Sequence, residues 1–204
     1  APGRKPVPHV GPGIYPRSMS ELTQPTGRED ALRAVPRDDG SAPRALVLGA
    51  AWDMTRDAQM PAGDFVRMAL ATLPGEDDST LLRTLLGQMS TAALTYSAPA
   101  KREKLVADVT GGLRSLAEEA EAGSDAQLQL VQTFASFAQS EEDVAFVRAL
   151  LSGERTLDGL TVDTEMRWTL LTSLVAGGVL GEPEIAAELE RDNTATGAER
   201  AARA

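Results

Sequence analysis

Eight of the twelve prolines fall within the first 44 residues, and this partition limits what the chain can fold into. Proline removes a backbone donor and its ring clashes with the preceding turn, so it is excluded from helix interiors. Ala1 to Pro16 is rich in Pro and Gly and has no apolar period. Such a stretch cannot bury enough surface to offset the entropy of ordering it. Ser20 to Arg33 leaves room for a short helix at most, because Pro25 and Gly27 interrupt it. Residues 1–43 are therefore expected to be a disordered head and residues 44–204 a folded body. Only Pro61, Pro74, Pro99 and Pro183 remain in that body, where they punctuate rather than interrupt.

Between these stops the apolar residues recur at helical spacing. A first helix is expected over Ala45–Arg56, and a second, with Pro61 in its first turn, reaches Leu73. Pro74-Gly75 stops it, and Asp78 or Ser79 caps a third helix to about Tyr96. Pro99 opens a long fourth helix to about Ala122, with Gly111-Gly112 inside it as a candidate bend or break. Ser124 caps a fifth carrying Leu128, Val131, Phe134, Ala135 and Ala138, and Ser140 a sixth carrying Val144, Val147, Leu150 and Leu151. Asp163 caps a seventh that ends at Gly177-Gly178. Glu182-Pro183 begins an eighth ending near Asp192, and the chain then enters a ninth. No segment shows sustained strand alternation. Aromatics are 4% of the chain, so Leu, Ala, Met and Val must fill the core, and these favour helices. The expected fold class is all-α: an irregular HEAT- or armadillo-like solenoid of helical hairpins, in which each pair hides its apolar face against the next.

Charge narrows the partners. Residues 1–44 hold seven Arg/Lys and five Asp/Glu, while residues 45–204 hold thirteen and twenty-five. A body this acidic repels phosphate, so no nucleic-acid partner is expected. The apolar runs are too short to span a bilayer and no charged-then-apolar leader opens the chain, so no membrane partner is expected either. The chain has no cysteine, which rules out disulfides and thiolate–metal sites and fits a reducing cytoplasm.

Candidate chemistry is sparse. His9 is the single histidine and lies among prolines, so neither a Ser-His-Asp triad nor a two-histidine zinc site can be assembled from one copy. Acids cluster at Glu76-Asp77-Asp78, Glu118-Glu119-Glu121 and Glu141-Glu142-Asp143. The first and third sit where they complement helix N-termini, and all three are read as solvated. No glycine pair follows a strand in a phosphate-cradling pattern. Trp52 and Trp168 are read as core anchors. Arg56, Arg167 and Arg191 are the candidate peptide-contact residues, because an Arg fork can hold a peptide carboxylate. Each also has acidic neighbours, and surface pairs or interhelix tethers are the plainer reading.

Two stretches carry a resemblance. One is Pro43-Arg44-Ala45-Leu46-Val47-Leu48-Gly49-Ala50-Ala51-Trp52-Asp53-Met54-Thr55-Arg56-Asp57. The other begins Gly159-Leu160-Thr161-Val162-Asp163-Thr164-Glu165-Met166-Arg167-Trp168 and closes on Glu188-Leu189-Glu190-Arg191-Asp192-Asn193-Thr194-Ala195-Thr196-Gly197, after a glycine-rich break. Together they resemble the helical C-terminal domain of actinobacterial aminopeptidase N, a zinc metallopeptidase of the gluzincin family. The resemblance runs from about Pro43 to Ala204 and implies a domain that continues beyond Ala204. It implies a curved helical solenoid that closes over a catalytic domain, encloses the active-site chamber and helps bind or size-select peptides. It also places the zinc and its His-Glu-x-x-His motif in that separate domain, so no cofactor is expected in this chain. The implied partners are the catalytic domain and peptide substrate, with no turnover from this chain alone. The residues by themselves equally support a free-standing helical-repeat adaptor that binds a protein or peptide in its concave face.

Overall fold

The computed structural model describes residues 41–76 and 78–204, and these are helical throughout, with no strand among them. The expected head, with His9, lies outside the described residues except at its last three positions. The helices are α1 (Ser41–Arg56), α2 (Ala62–Thr72), α3 (Ser79–Thr91), α4 (Pro99–Glu119), α5 (Asp125–Phe137), α6 (Glu141–Ser152), α7 (Thr164–Ala176), α8 (Glu182–Arg191) and α9 (Ala195–Ala201). A π-helical turn, Ala92–Tyr96, closes α3.

Short polar side chains start most of these helices. Asp78 accepts from the amides of Thr80 and Leu81 at 2.9 and 3.1 Å. Ser124, Ser140, Asp163 and Thr194 each accept from an amide three residues on. Each such bond satisfies a donor that the first turn leaves unpaired. Pro61 differs slightly from expectation, standing just before α2 in extended backbone rather than in its first turn.

Packing follows chain order. Each helix touches the next, α3 reaching α4 through its closing π-helical turn, and alternate helices also meet, α1 with α3, α3 with α5, α5 with α7, and α2 with α4. That pattern builds the fold by contact between helices close in the chain. The core runs between the helices through Phe65, Val66, Leu85, Met89, Val109, Leu113, Val131, Phe134, Val147 and Leu170.

Three expectations need correction. The fourth helix does not split at Gly111-Gly112; α4 runs unbroken from Pro99 to Glu119. Gly112 is instead a contact point, since a Cβ there would lie 2.9 Å from a Leu70 methyl of α2. Leu128, placed on the apolar face of the fifth helix, stands exposed. Glu76 is not solvated: its carboxylate is buried and accepts from Arg44 Nε at 3.1 Å and from the Asp78 amide at 3.1 Å. It thereby ties α1 to the loop before α3, and the buried charge is tolerated because it is paired and hydrogen-bonded.

Candidate functional site

The three candidate arginines meet different fates. Arg56 closes α1 on the surface and pairs within its own helix with Asp53 at 3.3 Å. Arg167 and Arg191 come together at the C-terminal end of the stack, in a small pocket of about 190 Å³ shared with Thr164, Glu188 and Asp192.

Arg167 is fully engaged there. Its Nε and Nη2 donate to the two oxygens of Glu188 at 2.7 and 2.6 Å, and its Nη1 donates to the Leu151 carbonyl at 2.9 Å. The fork therefore joins α7 to α8 and to the end of α6, where helix carbonyls favour a cation. Its hydrogen bond to Glu188 raises the Arg167 pKa above its usual value despite partial burial. Glu188 leaves only 6% of its side chain exposed and is the one buried residue of α8. Arg191 stands 4.0 Å from the same carboxylate with 66% of its side chain exposed, so it is the arginine of the pair open to a ligand.

The rest of the second motif closes around this pair. Trp168 is 3% exposed, as expected of an anchor, and its indole N–H donates to Asp192 Oδ2 at 2.8 Å. Thr194 donates to the other Asp192 oxygen at 2.8 Å. Those hydrogen bonds, the Thr194 one first, hold the Asp192 carboxyl below the ordinary carboxylate range. Arg200 of α9 pairs with Glu165 of α7. Gly197 lies directly under the Asp192 backbone carbonyl and side chain, where no Cβ fits. The motif from Asp163 to Gly197 is thus a clasp: α7 supplies one jaw, and α8 and α9 the other.

A second feature was not singled out from the sequence. An open cleft of about 550 Å³ runs between α3 and α5. Arg83, Gly87 and Ser90 line it from α3, and Asp125, Gln129, Gln132, Thr133 and Ser136 from α5. Gln129 Oε1 is buried in this lining and has no donor among the described residues. The signal was present in the sequence. Residues 125, 128, 129, 132, 133 and 136 form one stripe at helical spacing, opposite the apolar face of Leu130, Val131 and Phe134.

Among the described residues, no group of three or more His, Asp or Glu side chains comes together as metal donors do. No described helix is long and apolar enough to cross a membrane.

Residues 24–204 match the family described as the ERAP1-like C-terminal domain. The chain belongs to this family. The match begins ahead of the Pro43 junction read from composition and contains both quoted motifs. The chain is also similar to Aminopeptidase N of Streptomyces lividans, 43% identical over 164 residues, which is 80% of this chain and 19% of that protein. It therefore spans about a fifth of the length of the curated relative it matches.

Proposed function

We propose that this chain is the non-catalytic C-terminal domain of a zinc aminopeptidase, that it encloses the active-site chamber, and that it helps bind and size-select peptides. The similarity to Aminopeptidase N across 80% of the chain carries the reading. Zinc and the hydrolytic step belong, on this reading, to a separate catalytic domain, which is the chain's principal partner. A cysteine-free, acidic chain suits a cytoplasmic enzyme.

Peptide contact is assigned to two surfaces. The α3/α5 cleft offers Arg83 as a cation and the amides of Gln129 and Gln132 as paired donors and acceptors, suited to peptide backbone. At the C-terminal end, Arg191 is the exposed cation, while Arg167 acts by holding Glu188. Arg56 is retained only as a peripheral contact, because it is already paired.

A domain exchange tests this. The present chain replaces the matching segment of Streptomyces lividans Aminopeptidase N, and kcat/KM is measured on an aminoacyl anilide and on a ladder of peptides. Arg83→Ala combined with Gln132→Ala is expected to raise KM about tenfold for long peptides and leave the anilide unchanged. Equal effects on both substrates, or none on either, would refute peptide selection by this cleft. The isolated chain is expected to release no N-terminal residue from a chromogenic peptide, with or without added zinc.

A further inference from the structure

We infer that the cleft between α3 and α5 receives a lysine or arginine side chain of the bound peptide, an inference that rests on peptide binding by this domain. The hydroxyl protons of the cleft are already engaged. Ser90 Oγ donates to the Leu86 carbonyl at 2.8 Å, Thr133 Oγ1 to the Gln129 carbonyl at 2.8 Å, and Ser136 Oγ to the Thr133 carbonyl at 2.7 Å. A hydroxyl carries one proton and two acceptor sites, so each of these turns only lone pairs to the cleft. Gln129 Oε1 adds a buried acceptor with no donor among the described residues, and Asp125 adds a carboxylate. Gln129, Thr133 and Ser136 share one face of α5 over two turns, and Ser90 lines the same cleft from α3.

Acceptor groups predominate in the α5 wall, where the amide ends of Gln129 and Gln132 are the donors, and Arg83 stands exposed on α3. Arginine and lysine are the charged side chains that donate and never accept, so they complement such a wall. Aspartate and glutamate are the reverse and would set oxygen against oxygen. A donor reaching Gln129 Oε1 also gives that carbonyl the partner it lacks. Long-range charge acts in the same direction. Residues 45–204 hold thirteen Arg/Lys and twenty-five Asp/Glu, which draws a basic peptide in and holds an acidic one off. Within the lining Arg83 and Asp125 offset one another, so the local preference comes from the direction of the hydrogen bonds.

Calorimetric titration of the full chain with unlabelled peptides of one alanine-rich sequence tests this. The central residue is arginine, lysine, citrulline, norleucine or glutamate. Citrulline keeps N–H donors without the charge, and norleucine has neither. Arginine and lysine are expected to bind about tenfold more tightly than norleucine, with citrulline between them and glutamate weakest. Thr133→Val combined with Ser136→Ala keeps the shape of the wall and removes both hydroxyls. It is expected to cut the arginine advantage to about threefold or less and to leave norleucine binding unchanged. If arginine and norleucine bind alike, the inference fails while peptide binding by the domain stands. If citrulline is no better than norleucine and the arginine advantage vanishes in high salt, the acidic surface only steers cations and the cleft assignment fails. An arginine advantage that the double variant leaves intact also overturns it, because the side chain is then held elsewhere. Absence of binding by every peptide overturns peptide binding by the domain, and this inference with it.

Discussion

The middle of the stack and its C-terminal end are held by different forces. From α2 to α7 the helices interlock through fully buried apolar side chains, Phe65, Leu85, Val131, Phe134 and Leu170 among them. At the end, α8 buries only Glu188 and α9 only Gly197. What fastens that end is the clasp of Arg167 on Glu188, Trp168 on Asp192 and Arg200 on Glu165. Apolar burial is non-directional and tolerates many pairings, whereas a fork or an indole N–H demands one partner at one distance. The middle therefore specifies that helices stack, and the clasp specifies where the last two sit.

The largest expected effect lies in the middle. Phe134 is buried against Phe146 in an edge-to-face contact, with ring centroids 5.4 Å apart. Phe134→Ala should cost about 3–5 kcal/mol and lower the denaturation midpoint of the whole domain. Trp168→Ala removes a ring of similar burial, but from the C-terminal end, where α7 meets α8 and α8 meets α9. Its loss should appear first as faster hydrogen exchange in α8 and α9, with α2 to α5 still protected. Equal exchange in every helix after Trp168→Ala would erase the distinction between the two regions.

The clasp is next. Arg167→Met leaves Glu188 buried without its partner and strips the Leu151 carbonyl of a donor. A fully buried pair broken in this way costs about 3–5 kcal/mol, and the partial exposure of Arg167 should reduce that to about 2–3 kcal/mol. Arg167→Met combined with Glu188→Met should recover most of the loss, because no orphan charge remains. If the double variant is worse than the single one, the clasp is more than a pair of compensated charges. Chemical denaturation of all three proteins, compared at matched slope, measures this.

Much of the fold was legible in the sequence, and the reason lies in punctuation. Pro61, Pro74, Pro99 and Pro183 leave few places for helices to end, and Asp78, Ser124, Ser140 and Asp163 mark starts that the structure confirms as caps. The sites were less legible. Arg167 carries two readings in the sequence, a ligand fork and, more plainly, an interhelix tether, because the sequence shows a guanidinium but not which carboxylate it meets 21 residues away. Glu76 read as solvated because its partner, Arg44, is 32 residues distant. The α3/α5 cleft went unremarked because its polar stripe is ordinary for a solvent-facing helix until α3 stands beside it. Pairing across helices is a tertiary fact, whereas caps and periods are local.

Acid should loosen the clasp before the middle. The Asp192 carboxyl titrates lower in the folded chain than in the unfolded one, so between those two values the unfolded chain binds the extra proton. Its contribution is present in full above the unfolded value of about 4 and is lost as pH falls through the folded one. Trp168 reports this directly through its bond to Asp192. Below about pH 4, its fluorescence should change and α9 amides should exchange faster while α3 and α5 stay protected. In Asp192→Asn, this early acid transition should be missing.

The smallest expected effect probes the middle at one-atom resolution. Gly111 and Gly112 are neighbours inside α4, and each weakens the helix relative to alanine by about 0.5–1 kcal/mol through backbone entropy. A Cβ at Gly111 meets nothing within 4 Å, so Gly111→Ala should raise stability by that amount. A Cβ at Gly112 comes within 2.9 Å of one Leu70 methyl and 3.2 Å of the other, so Leu70 must turn away and give up contact with α4. Gly112→Ala should therefore gain nothing, and its midpoint should fall below that of Gly111→Ala. If both substitutions stabilise equally, Leu70 moves at no cost and the α2–α4 contact is looser than the apolar middle requires. If both destabilise, α4 needs flexibility at this point rather than a close approach.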